Sequence, residues 1–174
     1  MYRWGLVLSA LCLVLLWLYR QRGRGSRLSA HPDAVARARE TYEQARQSAV
    51  PDASPLIGVD EPALGAAILL VGLVRLGGPF TQRDETEIVR LLCRVTGVRD
   101  CEERLSYAHR AFDAGLDISS VINGLSKMWR DQLTVRERKE LYGMAKRVCS
   151  HRSMASAEQT DAVNQLRRSL LLKW

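Results

Sequence analysis

DEPALGAAILLVGLV, residues 60–74, decides how the chain folds. Asp60 and Glu61 ahead of Pro62 form a helix-start signal, because Pro suits the first helical turn, where its missing N–H costs nothing. Ala63 to Val74 is then almost wholly apolar. As a helix this run rises only about 18 Å, well short of a hydrocarbon core of about 30 Å. A helix that is apolar all round and too short to span a bilayer is buried in protein, so this segment predicts the central helix of an all-α core. Gly65 and Gly72 lie seven apart on one face and permit close approach of a neighbouring helix.

Helical signals continue on the carboxy-terminal side. Gly77-Gly78-Pro79 breaks the chain, and Thr81 with Asp84 approximates a capping box. Ile88, Leu91, Leu92 and Val95 form the buried stripe of the helix that follows, which Gly97 ends. A third helix is predicted from about Asp100 to Ala114, with Cys101, Leu105, Ala108 and Phe112 at helical spacing and Gly115 behind it. Asp117 caps a fourth, whose apolar face runs through Ile118, Val121, Ile122, Leu125, Met128, Trp129 and Leu133. Thr134 and Glu137 make a further capping box, ahead of Leu141, Met144, Ala145 and Val148. The last helix starts near Ser153 or Ser156 and carries Ala162, Val163, Leu166 and Leu170. Six helices joined by short loops favour an antiparallel bundle.

On the amino-terminal side the pattern changes. Val50 to Val59, with Pro51 and Pro55, reads as irregular, and Asp33 to Gln47 as a short polar helix with Ala34, Ala38, Tyr42 and Ala45 as its thin apolar stripe. Gln21 to Ala30 mixes Gly and Ser with Arg and reads as a linker. Ahead of it, Trp4 to Tyr19 (WGLVLSALCLVLLWLY) is apolar except for Ser9. It would span roughly 24 Å as a helix, short but workable for a bilayer. Trp4, Trp17 and Tyr19 bracket the run, where amphipathic rings favour the interface, and Arg20, Arg22, Arg24 and Arg27 follow. No small-x-small site closes the run, and the Arg-rich sequence behind it opposes export, so a retained anchor is expected over a cleaved signal peptide. The positive-inside rule then keeps the carboxy-terminal side in the cytoplasm. The expected organisation is a transmembrane anchor over 1–20, a basic juxtamembrane linker with a short helix over 21–59, and a helical domain over 60–174.

Charge distribution agrees with that organisation. The formal net charge is +7, yet seven Arg against three acids fall between Arg20 and Ala49, while the whole stretch from Asp60 to Trp174 carries only +3. A surplus beside the apolar segment suits a membrane surface better than a nucleic-acid groove. No segment interleaves basic and aromatic residues as single-strand binders do, and no Gly-rich phosphate loop is present. Cys12, Cys93, Cys101 and Cys149 include no C-x-x-C pair and read as reduced thiols. The three His (His31, His109 and His151) form no Ser-His-Asp or Cys-His arrangement by spacing, and His109, off the apolar stripe, is expected to be exposed. Asp84, Glu85 and Glu87 at a helix start are explained by the positive helix end. No catalytic residue, metal ligand or cofactor is predicted.

The helix order resembles the tellurite-resistance TerB-like domain over about Ala63 to Leu172. The stretch Ala66-Ala67-Ile68-Leu69-Leu70-Val71 followed by Phe80, Thr81 and Asp84 matches one half of that family in type, and Met144 to Val148 followed by Met154 and Glu158 matches the other. The resemblance implies an all-helical fold of two similar halves. The Asp-Gly pairs that the family carries, and that are associated with metal binding, are replaced by Gly77-Gly78 and by His151-Arg152, leaving too few oxygen ligands for Ca²⁺. His31-Pro32-Asp33 is the tripeptide of J-domain co-chaperones, some of which are membrane-anchored and carry a TerB-like domain. The two helices a J-domain needs ahead of its tripeptide have no place in the linker before His31, so Pro32-Asp33 reads as a helix start.

These readings together predict a membrane-anchored, non-catalytic interaction module: an accessory subunit at the bacterial inner membrane whose partners are the lipid bilayer and other proteins, with no nucleic acid and with oligomerisation open. The alternative is a metal- or stress-responsive TerB-family protein. Trp129 reads either as core or as a partner-facing anchor, with Arg130 beside it. Trp174 ends a tail, Leu170-Leu171-Leu172-Lys173-Trp174, more apolar than a free tail should be, so Trp129, Arg130 and Trp174 are the candidate partner contacts.

Overall fold

The computed structural model describes residues 33–48, 54–97, 100–152 and 154–172. They form seven helices and no strands: α1 (Ala34–Gln47), α2 (Pro62–Leu76), α3 (Gln82–Thr96), α4 (Cys101–Asp113), α5 (Ile118–Gln132), α6 (Val135–Cys149) and α7 (Ala157–Ser169). Six of these are the predicted helices of the bundle and α1 is the predicted polar helix. The predicted anchor, with Trp4, Trp17, Tyr19, Arg20, Arg22, Arg24 and Arg27, lies outside the described residues, as does Trp174. Among the described residues no helix is long and apolar enough to cross a membrane.

Helix α2 occupies the centre, as its composition requires. Every residue from Pro62 to Val74 is buried, and α3, α4, α5, α6 and α7 all pack on it. Helix α1 is held on α4 by Ala34, Val35 and Ala38, which are fully buried, while its other faces stay open.

Local chemistry sets the helix ends. The Asp117 carboxylate accepts from the Ser120 N–H at 3.0 Å. Glu137 accepts from the Thr134 N–H at 2.9 Å, closing the predicted box. Helix α7 starts from Ser156, not Ser153, with Gln159 closing a box that the sequence reading overlooked: its Oε1 accepts from the Ser156 N–H at 3.0 Å. Gly97 ends α3 at φ +70°, a left-handed conformation that glycine adopts without strain.

Gly65 and Gly72 perform the predicted close approach. A methyl group on Gly65 would meet Leu125, Met128 and Trp129 of α5. One on Gly72 would lie 2.4 Å from Cζ of Phe112 and 2.8 Å from Cδ1 of Ile118. Phe112 and Ile118 pack on the core from α4 and α5, so making room means shifting both side chains off α2. Gly72→Ala is expected to cost about 1–3 kcal/mol through overpacking. Urea denaturation should show the midpoint falling with little change in slope; an unchanged midpoint would mean that α2 does not approach α4 and α5 this closely.

Candidate functional site

The most polar junction of the bundle lies where the amino-terminal ends of α3 and α7 meet. Asp84, third residue of α3, is buried, and its carboxylate accepts from the Thr81 N–H at 2.7 Å. Arg152, in the loop before α7, grips the same carboxylate with two nitrogens. Nε reaches Oδ1 at 2.6 Å and Nη2 reaches both Oδ2 and the Pro79 carbonyl. Burial pushes the Asp84 carboxyl up, but hydrogen bonds from Arg152 and Thr81 outweigh it and hold the pKa at about 2. One turn on, Glu87 accepts from Arg90 Nε at 2.8 Å and faces Arg147 Nε at 3.4 Å.

Gln159 is the counterpart of Asp84 on α7. Its amide donates to the Leu73 carbonyl at 2.8 Å while its oxygen closes the Ser156 cap, so one side chain satisfies the end of α2 and the start of α7. A methyl group on Gly77 would lie 2.4 Å from Gln159 Nε2. The two contacts are reciprocal. Gly77 stands four residues before the cap Thr81 and meets the third residue of α7; Arg152 stands four before the cap Ser156 and meets the third residue of α3.

The resemblance places acidic residues at Gly77 and at His151, and neither supplies a carboxylate to a divalent cation. The Asp84 carboxylate is filled by a guanidinium, and the position facing Gln159 is glycine. Among the described residues no three His, Cys, Asp or Glu side chains come together in a way that could hold a metal ion.

The depressed Asp84 pKa makes a pH prediction. The unfolded chain binds more protons than the native one between the ordinary value, 3.8, and about 2. The pair's contribution is therefore complete above 3.8 and is lost as pH falls through about 2. Because Arg152 reaches solvent, its size is on the order of 1–2 kcal/mol, below what the full shift implies. Arg152→Gln should remove that part of the acid sensitivity, read by urea denaturation at pH 6, 4 and 3; parallel pH dependence in parent and variant would refute the assignment.

One predicted partner contact, Trp129, turns inward. Trp129 is completely buried in the core, so of its two readings the structure supports the core one. Arg130 is half-buried and donates through Nη1 to the Ser169 carbonyl at 2.7 Å, while Arg138 donates to the Leu170 carbonyl at 2.7 Å. Both cations thus satisfy carbonyls at the end of α7, where the helix dipole favours positive charge. That internal bond gives Arg130 a structural role within the bundle.

His109 is half-buried, not exposed as expected. Phe80 stands edge-on to its ring at 4.4 Å between centroids, and Arg75 lies 3.1 Å from Nδ1. Burial, then the Arg75 charge, lowers its pKa. With Arg75 donating, Nδ1 accepts and the proton sits on Nε2. Asp113 bonds Arg75 at 2.9 Å, so Arg75 stands between carboxylate and ring in an order unlike a catalytic triad. Burial raises the Cys101 thiol to about 12, with Cys93 hydrogen-bonded to it, and raises Cys149 to about 11, which keeps both in the weakly nucleophilic thiol form.

Sequence reasoning missed a buried ion pair between helices. Arg104 Nη2 and Nε donate to the two Glu61 oxygens at 2.8 and 3.0 Å, and Nη1 lies 2.6 Å from an Asp100 oxygen. The Arg104 and Glu61 side chains are 1% and 3% exposed. The available signal was register: Arg104 lies three residues after Cys101 and four before Ala108, on the buried stripe of α4.

Among the described residues, grooves open on two sides of the bundle. One, of about 690 Å³, runs between α6 and α7 and is bordered by Tyr142, Lys146, Arg147, Val163 and Asn164. The other, of about 400 Å³, lies between α1 and α4. Fold and site together define an all-helical bundle around a central apolar helix, with seven helices among the described residues. Comparison with protein families, characterised proteins and solved structures finds no match to this chain.

Proposed function

We propose that the chain is a non-catalytic docking module of TerB-like type, held at the cytoplasmic face of a bacterial inner membrane by its amino-terminal apolar segment and serving there as an accessory subunit. One observation carries the non-catalytic part. The buried charges of the bundle are spent on structural partners: Asp84 on Arg152, Glu61 on Arg104, and Glu87 on Arg90. Two open grooves meanwhile offer surface to a partner. The reciprocal contacts of Gly77 with Gln159 and of Arg152 with Asp84 support a fold of two similar halves, as the resemblance implies. The sequence of residues 4–27 supports the anchor, and confinement to a surface raises effective concentration without added contacts.

The metal-responsive alternative ranks below it, because the Arg152 guanidinium stands where a cation would have to bind Asp84. Titration calorimetry with Ca²⁺ and Zn²⁺ should give no heat of binding. The leading reading is tested by alkaline carbonate extraction of membranes, which should leave the chain in the pellet, and by purification from detergent-solubilised membranes, which should bring down a stoichiometric protein partner. A monodisperse monomer that never carries a partner would sink the docking reading, and release into the carbonate supernatant would sink the anchor.

A further inference from the structure

The groove between α1 and α4 is built from two matching stripes. Helix α1 contributes Arg39, Tyr42, Glu43 and Arg46, and α4 contributes Tyr107 and Arg110. Each set follows the spacing of one helix face. Three guanidinium groups therefore share one cleft with a single carboxylate, Glu43. Among the described residues none of the three arginines makes an ion pair, although Arg37 on the neighbouring face of α1 reaches Asp60 at 3.7 Å. The aromatic walls are fixed. Tyr107 is buried, with its hydroxyl donating to the Pro55 carbonyl at 2.8 Å, and Arg46 stands 6.0 Å from the Tyr42 ring centroid.

From this geometry we propose that the α1–α4 cleft binds the phosphodiester headgroup of an anionic phospholipid. Guanidinium groups that share a cleft repel one another, and a phosphate relieves that repulsion while accepting paired N–H bonds from each fork. Tyrosine rings beside them suit the boundary between acyl chain and water. A volume of about 400 Å³ falls within the roughly 300–1,000 Å³ typical of small-molecule sites. Helix α1 begins at Ala34, 15 residues after Tyr19, so the sequence puts the cleft close behind the proposed anchor. The choice of a lipid over a free anion rests on the anchor proposed above.

The test uses the full chain in neutral maltoside micelles, supplied with phosphatidylglycerol or phosphatidylcholine, with retained lipid counted by native mass spectrometry. The parent should retain phosphatidylglycerol preferentially. Arg39→Gln/Arg46→Gln/Arg110→Gln should lose that preference, on the order of five-fold per arginine. Arg83→Gln/Arg94→Gln, two exposed positions of α3 outside the cleft lining, should keep it. Glu43→Gln, which removes the opposing carboxylate without threatening the fold, should raise retention. Equal retention of the two lipids by the parent, an undiminished preference in the triple arginine variant, an equal loss in the α3 variant, or no gain in Glu43→Gln would each overturn the assignment. So would displacement of the lipid by millimolar inorganic phosphate, which would make the cleft a site for a free anion. Failure of the anchor is read separately, by carbonate extraction, and leaves these lipid counts unaffected.

Discussion

Arg104→Met should destabilise the bundle by about 3–5 kcal/mol, the cost of leaving a buried carboxylate without its partner. Arg104 joins α4 to Glu61, the residue that opens the central helix, through a two-pronged contact at 2.8 and 3.0 Å. The Glu61 carboxylate is only 3% exposed beside Arg104, so removing the guanidinium takes a two-pronged ion pair from a charge with little access to solvent. Asp100, the second carboxylate on Arg104, is 33% exposed and can return to solvent, so Glu61 carries most of the penalty. Glu61→Leu/Arg104→Met should recover most of the loss and could exceed the parent, because both desolvation costs disappear together. Urea denaturation of the four proteins of this cycle measures the coupling directly. A single variant that loses less than about 1 kcal/mol would show that water reaches the pair. A double variant that remains as unstable as Arg104→Met would show that the pair also fixes how α4 lies on α2.

That pair marks the boundary of what sequence patterning can read. Helix positions followed from apolar spacing and caps because both are local: Thr134 and Glu137 sit three apart, and an apolar run such as Ala63–Val74 is buried whatever surrounds it. The contact surfaces of Gly65 and Gly72 were legible for the same reason, since two small residues on one helix face leave the same gap in any packing. Partner choice is not local. Glu61 and Arg104 are 43 residues apart, and Asp84 and Arg152 are 68 apart. A carboxylate near a helix start is equally consistent with the helix dipole or with a distant guanidinium. The α1–α4 cleft escaped for a related reason: neither helix alone interleaves enough Arg and Tyr to stand out, and only their packing sums the two stripes. The helix-end role of Arg130 was not legible because hot-spot chemistry and helix-end chemistry use the same side chain. Only the position of Ser169, 39 residues on, separates the two.

Trp129→Ala should also cost about 3–5 kcal/mol, and it separates the two readings of that residue more sharply than any binding assay. A partner-facing tryptophan would lose affinity and leave folding intact. A core tryptophan loses its contacts with α2 and leaves a cavity that the backbone cannot close. The structure places Trp129 against Gly65, with Nε1 3.2 Å from where a methyl group on that glycine would sit, and gives the indole nitrogen no hydrogen-bond partner among the described residues. The side chain therefore contributes through volume, not through its N–H. Trp129→Phe should accordingly be much milder than Trp129→Ala: it keeps a large aromatic ring and removes an N–H that gains nothing in the core, so only the volume difference is charged against it. Thermal and urea unfolding of the two variants gives the answer. Should the alanine variant unfold at the parent's midpoint, Trp129 is not in the core. Should phenylalanine cost as much as alanine, the indole N–H has a partner that the packing against Gly65 does not supply.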